Sequence, residues 1–503
     1  MRNTAQISGW FVTSCVFLAS SCTVGPNYKR PAMPVPRAFK EQPPINFKEA
    51  EAAGWKQSQP GDAFEKGKWW VVYQDPALNA LEEQVSISNQ NVLQAEAQYR
   101  QAKAELRVAR SALFPTITTG PAISESRSGA GIGNATGVAP STTRAFFNLP
   151  FDVSWEPDIW GSIRRGVTAS VATAQSQEAL LENARLLYQA ELAQDYFGLH
   201  GSDAEMDLLT RTAADYEEYL TLTRNRFAGG VASDLDVAQA ESQLYGVQSQ
   251  LIDLGVARAQ FEHAIAVLTG KAPAEVTIPP AALATLPPPI PVGLPSELLE
   301  RRPDVASSER RVAAANEQIG IATAAFYPTL TVGASAGLQN SSLAKLFTWP
   351  SRFWAVGPQL AETLFDAGRR RAVVAEQQAA YDATVASYRQ TALTAMQQVE
   401  DDLAALRILE EEAAKVQQTV DSSGRALVVA TAQYRAGTTS FLTVITSQAA
   451  LLNSQRTAVN LLTRRLTASV LLIEALGGGW NGSRLPTRQD ISAQAKAVTN
   501  QTQ

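Results

Sequence analysis

The sequence predicts a mainly α-helical fold with a β-barrel portion, written twice in one chain. Three observations carry this. A proline-rich segment divides the chain, matching motifs lie on either side of it, and the hydrophobic pattern changes from helical to strand-like and back within each half. The dividing segment, 271–295, holds eight prolines and cannot form a long helix.

The motifs recur in order. "ALFPTIT" (112–118) matches "AFYPTLT" (325–331), "GSIRRGV" (161–167) matches "GRRRAVV" (368–374), and "RFAGGVASDLDV" (226–237) matches "QYRAGTTSFLTV" (433–444). Pro115 and Pro328 are 213 apart, whereas Gly161 and Gly368, like Phe227 and Tyr434, are 207 apart. The spacing gives a first repeat over 77–270 and a second over 296–479, flanked by an N-terminal proline-rich segment (22–76) and a polar tail (480–503).

Residues 77–113 contain good helix formers with no Gly or Pro after Pro76, so one helix is expected up to Pro115, and its counterpart over about 296–326. A hairpin follows in each half, about 115–157 and 328–364, rich in Thr, Val, Phe and Trp. Pro150 and Pro358 argue against unbroken central strands. Then come two long helical patterns, from Gly161 to Phe227 and from Gly368 to Tyr434. Each spans roughly 100 Å at about 1.5 Å per residue. Val385, Tyr388, Ala392, Ala395, Val399, Leu403 and Leu406 form a stripe suited to helix-on-helix packing. The return helices, 233–268 and 441–476, span roughly 54 Å each, so two shorter helices end to end match one long one.

Four strands per chain cannot close a barrel, and open edges are a hazard. Only a closed barrel satisfies every backbone group in lipid. Three chains give twelve strands, and counting alone also allows two or four. Aromatics near the strand ends (Phe146, Phe147, Phe151, Trp155 and Phe347, Trp349, Phe353, Trp354) fit an interfacial girdle or a core. The competing reading is a periplasmic coiled-coil structural or adaptor-like protein without a barrel.

Composition excludes several classes. The net charge is −5 and no long basic tract exists, which leaves nucleic acid without a landing surface. The two histidines, His200 and His263, lie on separate helices without a second ligand at i+4, so no metal or other cofactor is expected. "GASAG" (333–337) has the form of a hydrolase elbow but lies within a hairpin, with both histidines earlier in the chain, and no enzyme is predicted. Arg301–Arg302, Arg369–Arg371 and Arg464–Arg465 read as solvated or salt-bridged, with Arg369–Arg371 placed to meet lipid headgroups.

Several stretches resemble the outer-membrane efflux proteins of the TolC type, in the lipoprotein branch that serves resistance–nodulation–division pumps. They are "WWVVYQDPALNALEEQVSISNQNV" (69–92), "RRPDVASSERRVAAANEQIGIATAAFYPTLTVGA" (301–334) and "LFDAGRRRA" (364–372). The resemblance implies a homotrimer, with a twelve-stranded barrel in outer-membrane lipid and a helical barrel through the periplasm. It also implies passive export of small molecules with a periplasmic adaptor and an inner-membrane pump. The two Gly-containing turns match the family's periplasmic tip, which makes Phe227, Gly229, Gly230, Leu235, Tyr434, Gly437, Ser440 and Leu442 candidate adaptor contacts. Asp234 and Asp236 match acids of the entrance, while Thr443 and Thr446 replace acids in the second turn. Helix capping by Ser233 or Asp234 is the alternative role there.

The first 21 residues read as an export signal: Arg2, an apolar run over 10–19, then Ala19, Ser20 and Ser21 before Cys22. The end of this signal resembles a lipobox, with Ala19 where leucine is usual, and implies acylation of Cys22. Cys15 lies in the leader, so no disulfide framework is expected. The segment 26–44 is then expected to run down the outside of the helical wall.

Overall fold

The computed structural model describes residues 23–41, 68–128, 131–133, 137–139, 142–283, 286–290, 295–487 and 489–491. Cys22, the signal segment and the end of the tail lie outside these residues. The helices are α1 (Pro76–Ser88), α2 (Gln90–Ser111), α3 (Ser162–Ala228), α4 (Asp234–Leu268), α5 (Pro303–Ala324), α6 (Arg369–Arg435) and α7 (Phe441–Ala475), with a single α-turn at Leu298–Arg301. The strands are β1 (Thr116–Thr119), β2 (Ala122–Ser128), β3 (Gly131–Gly133), β4 (Gly137–Ala139), β5 (Thr142–Trp155), β6 (Thr329–Asn340) and β7 (Arg352–Ala361).

The helices form a wall of four columns. α3 and α6 are each one column of 67 residues. The other two columns are stacked pairs, α2 above α4 and α5 above α7. Near the sheet the order is α2–α3–α5–α6, and at the far end it is α4–α3–α7–α6. Side chains weld the stacked joints. Asn89 Nδ2 donates to Leu268 O at 2.8 Å, and Ser88 Oγ to Thr269 O at 2.6 Å. At the other joint, Arg302 Nη1 donates to Ala475 O at 3.1 Å.

These joints correct two sequence expectations. The helix expected over 77–113 is two helices, because Asn89 leaves the helical conformation and its side chain caps α2 by accepting from the Asn91 and Val92 amides. Such a cap contributes about 1 kcal/mol. The helix expected over 296–326 is interrupted at Arg302, which is extended (ψ 123°) as the residue before Pro303. Arg302 itself takes the salt-bridged of the two states expected for it. It is buried, forks onto Asp304 at 2.8 and 3.0 Å, and donates to Gln398 at 2.8 Å. Nor is the start of the tail purely polar, since Trp480 and Ile491 are buried.

The sheet runs β1/β2–β5–β6–β7, all antiparallel, and β1 and β2 are successive pieces pairing with the one strand β5. Gly120–Pro121 makes that break. Contrary to expectation, β5 runs through Pro150 and β7 through Pro358, paired with Gly337 and Val332. The "GASAG" stretch lies wholly inside β6, with no helix following it.

One fully buried carboxyl of the wall and two half-buried ones are held above the usual carboxylate range. Glu82 on α1 is fully buried and neither oxygen has a partner, so burial holds its pKa well above the usual range. Asp402 on α6 is pushed up to about 7 by burial, with Glu474 and Asp401 adding and Arg302 opposing. Glu474 on α7 is pushed up to about 7 by burial; Arg302 opposes, and Asp304 and Glu191 add. A carboxyl with a raised folded pKa binds more protons folded than unfolded, so stability falls as pH rises from the unfolded pKa through the folded one. Thermal melting is therefore expected to fall between about pH 4.5 and 7.5. The pair Asp402→Asn and Glu474→Gln should flatten that slope. A wild-type melting temperature level across the window would contradict the assignment.

Candidate duct wall and periplasmic tip

Strand register sorts the sheet into two unlike faces. Ile117 pairs with Val153, Ile123 with Phe147, Phe151 with Ala336, Leu149 with Leu338, and Trp155 with Val332. On the next seam Leu330 pairs with Leu360, Ala334 with Val356, and Ala336 with Trp354. Side chains at paired positions share a face, so these residues make one continuous apolar surface. Ile117, Ile123, Phe151, Trp354, Val356 and Leu360 are exposed on it. The opposite face carries Thr118, Asn148, Asp152, Ser154, Thr331, Ser335, Gln339 and Gln359. Apolar outside and polar inside is the signature of a membrane β-barrel strand. Of the aromatics expected to form a girdle, Phe147, Phe151, Trp155 and Trp354 stand on the apolar face. Phe146 and Phe353 stand on the polar one, where the Phe353 ring lies over Gly337.

Among the described residues neither margin of the subunit has a strand or a long helix beside it. One margin is α2 leading into β1/β2, continued below by α4, and the other is β7 leading into α6. Exposed apolar side chains stand on both. Val108, Tyr245, Ile252 and Val256 lie on the first, and Ile408, Val428 and Val429 on the second.

At the far end of the wall each helical pair turns on a glycine. Gly230 (φ 72°) and Gly437 (φ 75°) hold left-handed conformations that a side chain would strain. Phe227, Gly229, Leu235, Ser440 and Leu442 are exposed there. Tyr434 is not. It is only 5% exposed and packs on Phe441 at 5.3 Å, which makes it part of the tip's small core rather than of its surface. Arg226, which the sequence reading did not single out, covers Tyr434. Its guanidinium sits 4.4 Å from the ring centroid and donates to the Tyr434 carbonyl at 3.0 Å. This clasp joins the first repeat to the second.

The acids of the first turn separate in role. Ser233 caps α4 and Asp236 completes the capping box: the Asp236 amide donates to Ser233 Oγ at 3.2 Å and its carboxylate accepts from the Ser233 amide at 2.9 Å. Asp234 is not the cap and stands exposed at the start of the helix. In the second turn Ser440 makes no side-chain cap, and Thr443 occupies the position of Asp236.

The segment 23–41 lies against the helical wall. Arg165, buried on α3, donates to the carbonyls of Val24 (2.7 Å), Gly25 (3.0 Å) and Pro26 (3.1 Å) and pairs with Glu317 at 2.8 Å. Tyr28 bonds Glu309, and the Lys40 and Glu41 amides donate to Glu400. Gly25 is required here, since a Cβ would stand 2.6 Å from Gly320 Cα. Thr23 rests on Gly161 where β5 passes into α3, which places the start of the arm at the sheet end of the wall. Arg370 is salt-bridged to Asp366 at 2.7 Å. Among the described residues no group of acids, histidines and cysteines is arranged to hold a metal, and no helix is long and apolar enough to cross a membrane.

A family described as outer membrane efflux protein matches residues 81–271 and again 294–478, the two repeats in turn. The chain is 31% identical to the probable efflux pump outer membrane protein TtgC of Pseudomonas putida over 466 residues, covering 92% of this chain and 94% of that one. It is 30% identical to outer membrane protein OprJ of Pseudomonas aeruginosa, over 92% and 94% of the two chains. Among solved structures, the outer-membrane channel OprN superposes with a TM-score of 0.82 at 28% identity, over 91% of this chain and all of that one. VceC of Vibrio cholerae superposes with a TM-score of 0.76 at 27% identity, over 83% and 100%. With both repeats matched, the two-faced sheet in place and the helical wall shared with known channels, the chain belongs to the outer membrane efflux protein family.

Proposed function

We propose that this chain works as a homotrimeric duct, conducting small molecules passively from the periplasm to the exterior for an inner-membrane resistance–nodulation–division pump coupled through a periplasmic adaptor. The observation that carries the closed assembly is the match between the two open margins. An edge strand and an edge helix stand on each side, at the same heights, so one copy's β7/α6 margin meets the next copy's β2/α2/α4 margin. Such a head-to-tail contact gives a ring when the rotation between copies closes, as a third of a turn does for three copies. Four strands from each of three copies then make a twelve-stranded barrel with no free edge. The competing coiled-coil reading leaves the exposed apolar sheet face without a purpose. Native mass measurement in detergent, with drug accumulation in a deletion strain, tests this. A lipid-free soluble monomer, or unchanged accumulation of every candidate compound, would sink it.

At the tip, the Arg226 clasp on Tyr434 is the element we assign to holding the entrance narrow, with Asp234 presented toward passing cations and Phe227, Leu235 and Leu442 available to an adaptor. A partly exposed cation–π contact and one hydrogen bond together contribute about 1–2 kcal/mol. Arg226→Ala should therefore speed amide exchange at 226–238 and 433–443 and raise conductance in planar bilayers, while the main melting transition stays in place. Unaltered exchange and conductance would remove the clasp from the gating reading.

The N-terminal arm supports acylation at Cys22. Thr23 is seated at the β5–α3 junction, where the wall passes into the sheet. Because the barrel itself anchors the protein, Cys22→Ala is expected to reach the outer membrane at reduced yield. Complete loss of membrane association in that variant would count against the shared barrel.

A further inference from the structure

The loop between β7 and α6, residues 362–368, presents Leu364 and Phe365 at 90% and 85% exposure, although the backbone around them is tightly held. Asp366 accepts from the Gly368 amide at 3.0 Å and the Arg370 amide at 3.2 Å, and Arg370 Nη2 donates to Thr363 O at 2.5 Å. Ala367 adopts φ 52°, one of two non-glycine residues with positive φ among the described residues, and Gly368 follows at 89°. A left-handed alanine is strained, because its Cβ crowds the following carbonyl oxygen. A strained, hydrogen-bonded loop that holds two large apolar side chains outward is built to present them.

The internal duplication identifies what they meet. In the first repeat the corresponding junction, between β5 and α3, packs against the α5–β6 junction of the second repeat. There Trp160 stacks on Tyr327 with centroids 4.7 Å apart, and its Nε1 donates to Pro328 O at 2.8 Å. The α3·α5 and β5·β6 seam thus ends in an aromatic contact at the boundary of wall and sheet. The repeat offset of 213 carries Tyr327–Pro328 back onto Phe114–Pro115, at the α2–β1 junction on the opposite margin. Phe114 is exposed there, with exposed Val108 one and a half turns earlier on α2. From aspartate to glycine the second repeat is one residue shorter than the first, Asp366–Gly368 against Asp158–Gly161, and it has no counterpart to Trp160. Its apolar pair stands just before the aspartate instead.

We propose that Leu364 and Phe365 of one copy seat against Phe114 and Val108 of the next, repeating between subunits the contact that Trp160 and Tyr327 make within one. The occupant of this apolar loop is a second copy of the chain, and lipid is the competing occupant. This rests on the ring-closed assembly proposed above, and the test separates the two. In isolated outer membranes, the double variant Phe114→Cys/Phe365→Cys treated with a short bis-maleimide should yield covalent dimers and trimers, and neither single variant should. Leu364→Ser/Phe365→Ser should lower the temperature at which the detergent-solubilised oligomer dissociates, with helical content unchanged. An intact trimer by native mass that gives no cross-linked ladder and dissociates at the wild-type temperature would overturn this contact, assign the loop to lipid and leave the trimer standing. Absence of any trimer would overturn both.

Discussion

Edge satisfaction is the constraint on which the rest of this structure depends. In each half a helix, a hairpin and a long helix produce a surface with one margin to give and one to receive. Within the chain, one such junction is made: α3 against α5, and β5 against β6 along nine register pairs from Phe147–Asn340 to Trp155–Val332. The other margins remain open, with backbone groups of β1/β2 and β7 unpaired at the sheet edges among the described residues. A sheet whose apolar face and edges are both exposed has no stable state as a lone copy in water or in lipid. In the proposed ring, the seam that joins the halves is the template for the seam that joins copies.

The wall solves a different problem, that of making a column about 100 Å tall from helices of unequal length. Two columns are single helices and two are stacked pairs. The ends of the paired helices leave unsatisfied backbone groups in the middle of the wall, where water has limited access. Asn89 and Ser88 take up the carbonyls at the end of α4, and Arg302 takes up Ala475 O at the end of α7. The two repeats thus meet the same need with different chemistry, an amide cap in one and an arginine in the other. Arg302 also opposes the rise that loss of water imposes on Asp402 and Glu474, two half-buried carboxyls.

Asymmetry between the repeats concentrates where the chain ends or turns. At the tip, the capping box of Ser233 and Asp236 has no counterpart at Ser440, and Arg226 has Gln433 at the equivalent place. At the sheet end, Trp160 is answered within the chain, whereas Leu364 and Phe365 are left outward. The N-terminal arm adds a third asymmetry, since Arg165 binds three successive carbonyls of the arm and its repeat-equivalent, Ala372, cannot. Near-symmetric halves are thereby given distinct positions in the ring.

The sequence by itself determined the duplication, the hairpins, the length of α3 and α6 and the glycine turns, because these depend on local periodicity, on offsets between motifs and on residues with special backbone conformations. Family membership was legible for the same reason, in runs such as 301–334. Tertiary structure alone decided where the stacked columns break, since Asn89 reads as an ordinary helix residue until Leu268 O needs a donor. It also decided that Tyr434 is core and Arg226 its cover, because burial depends on residues some 200 positions away. The two-faced character of the sheet was hidden in "PTLTVGASAGL", whose small residues blur alternation within one strand. It emerged only when register set Ala334 and Ala336 beside Val356 and Trp354, as a face of a sheet is a property of paired strands rather than of one.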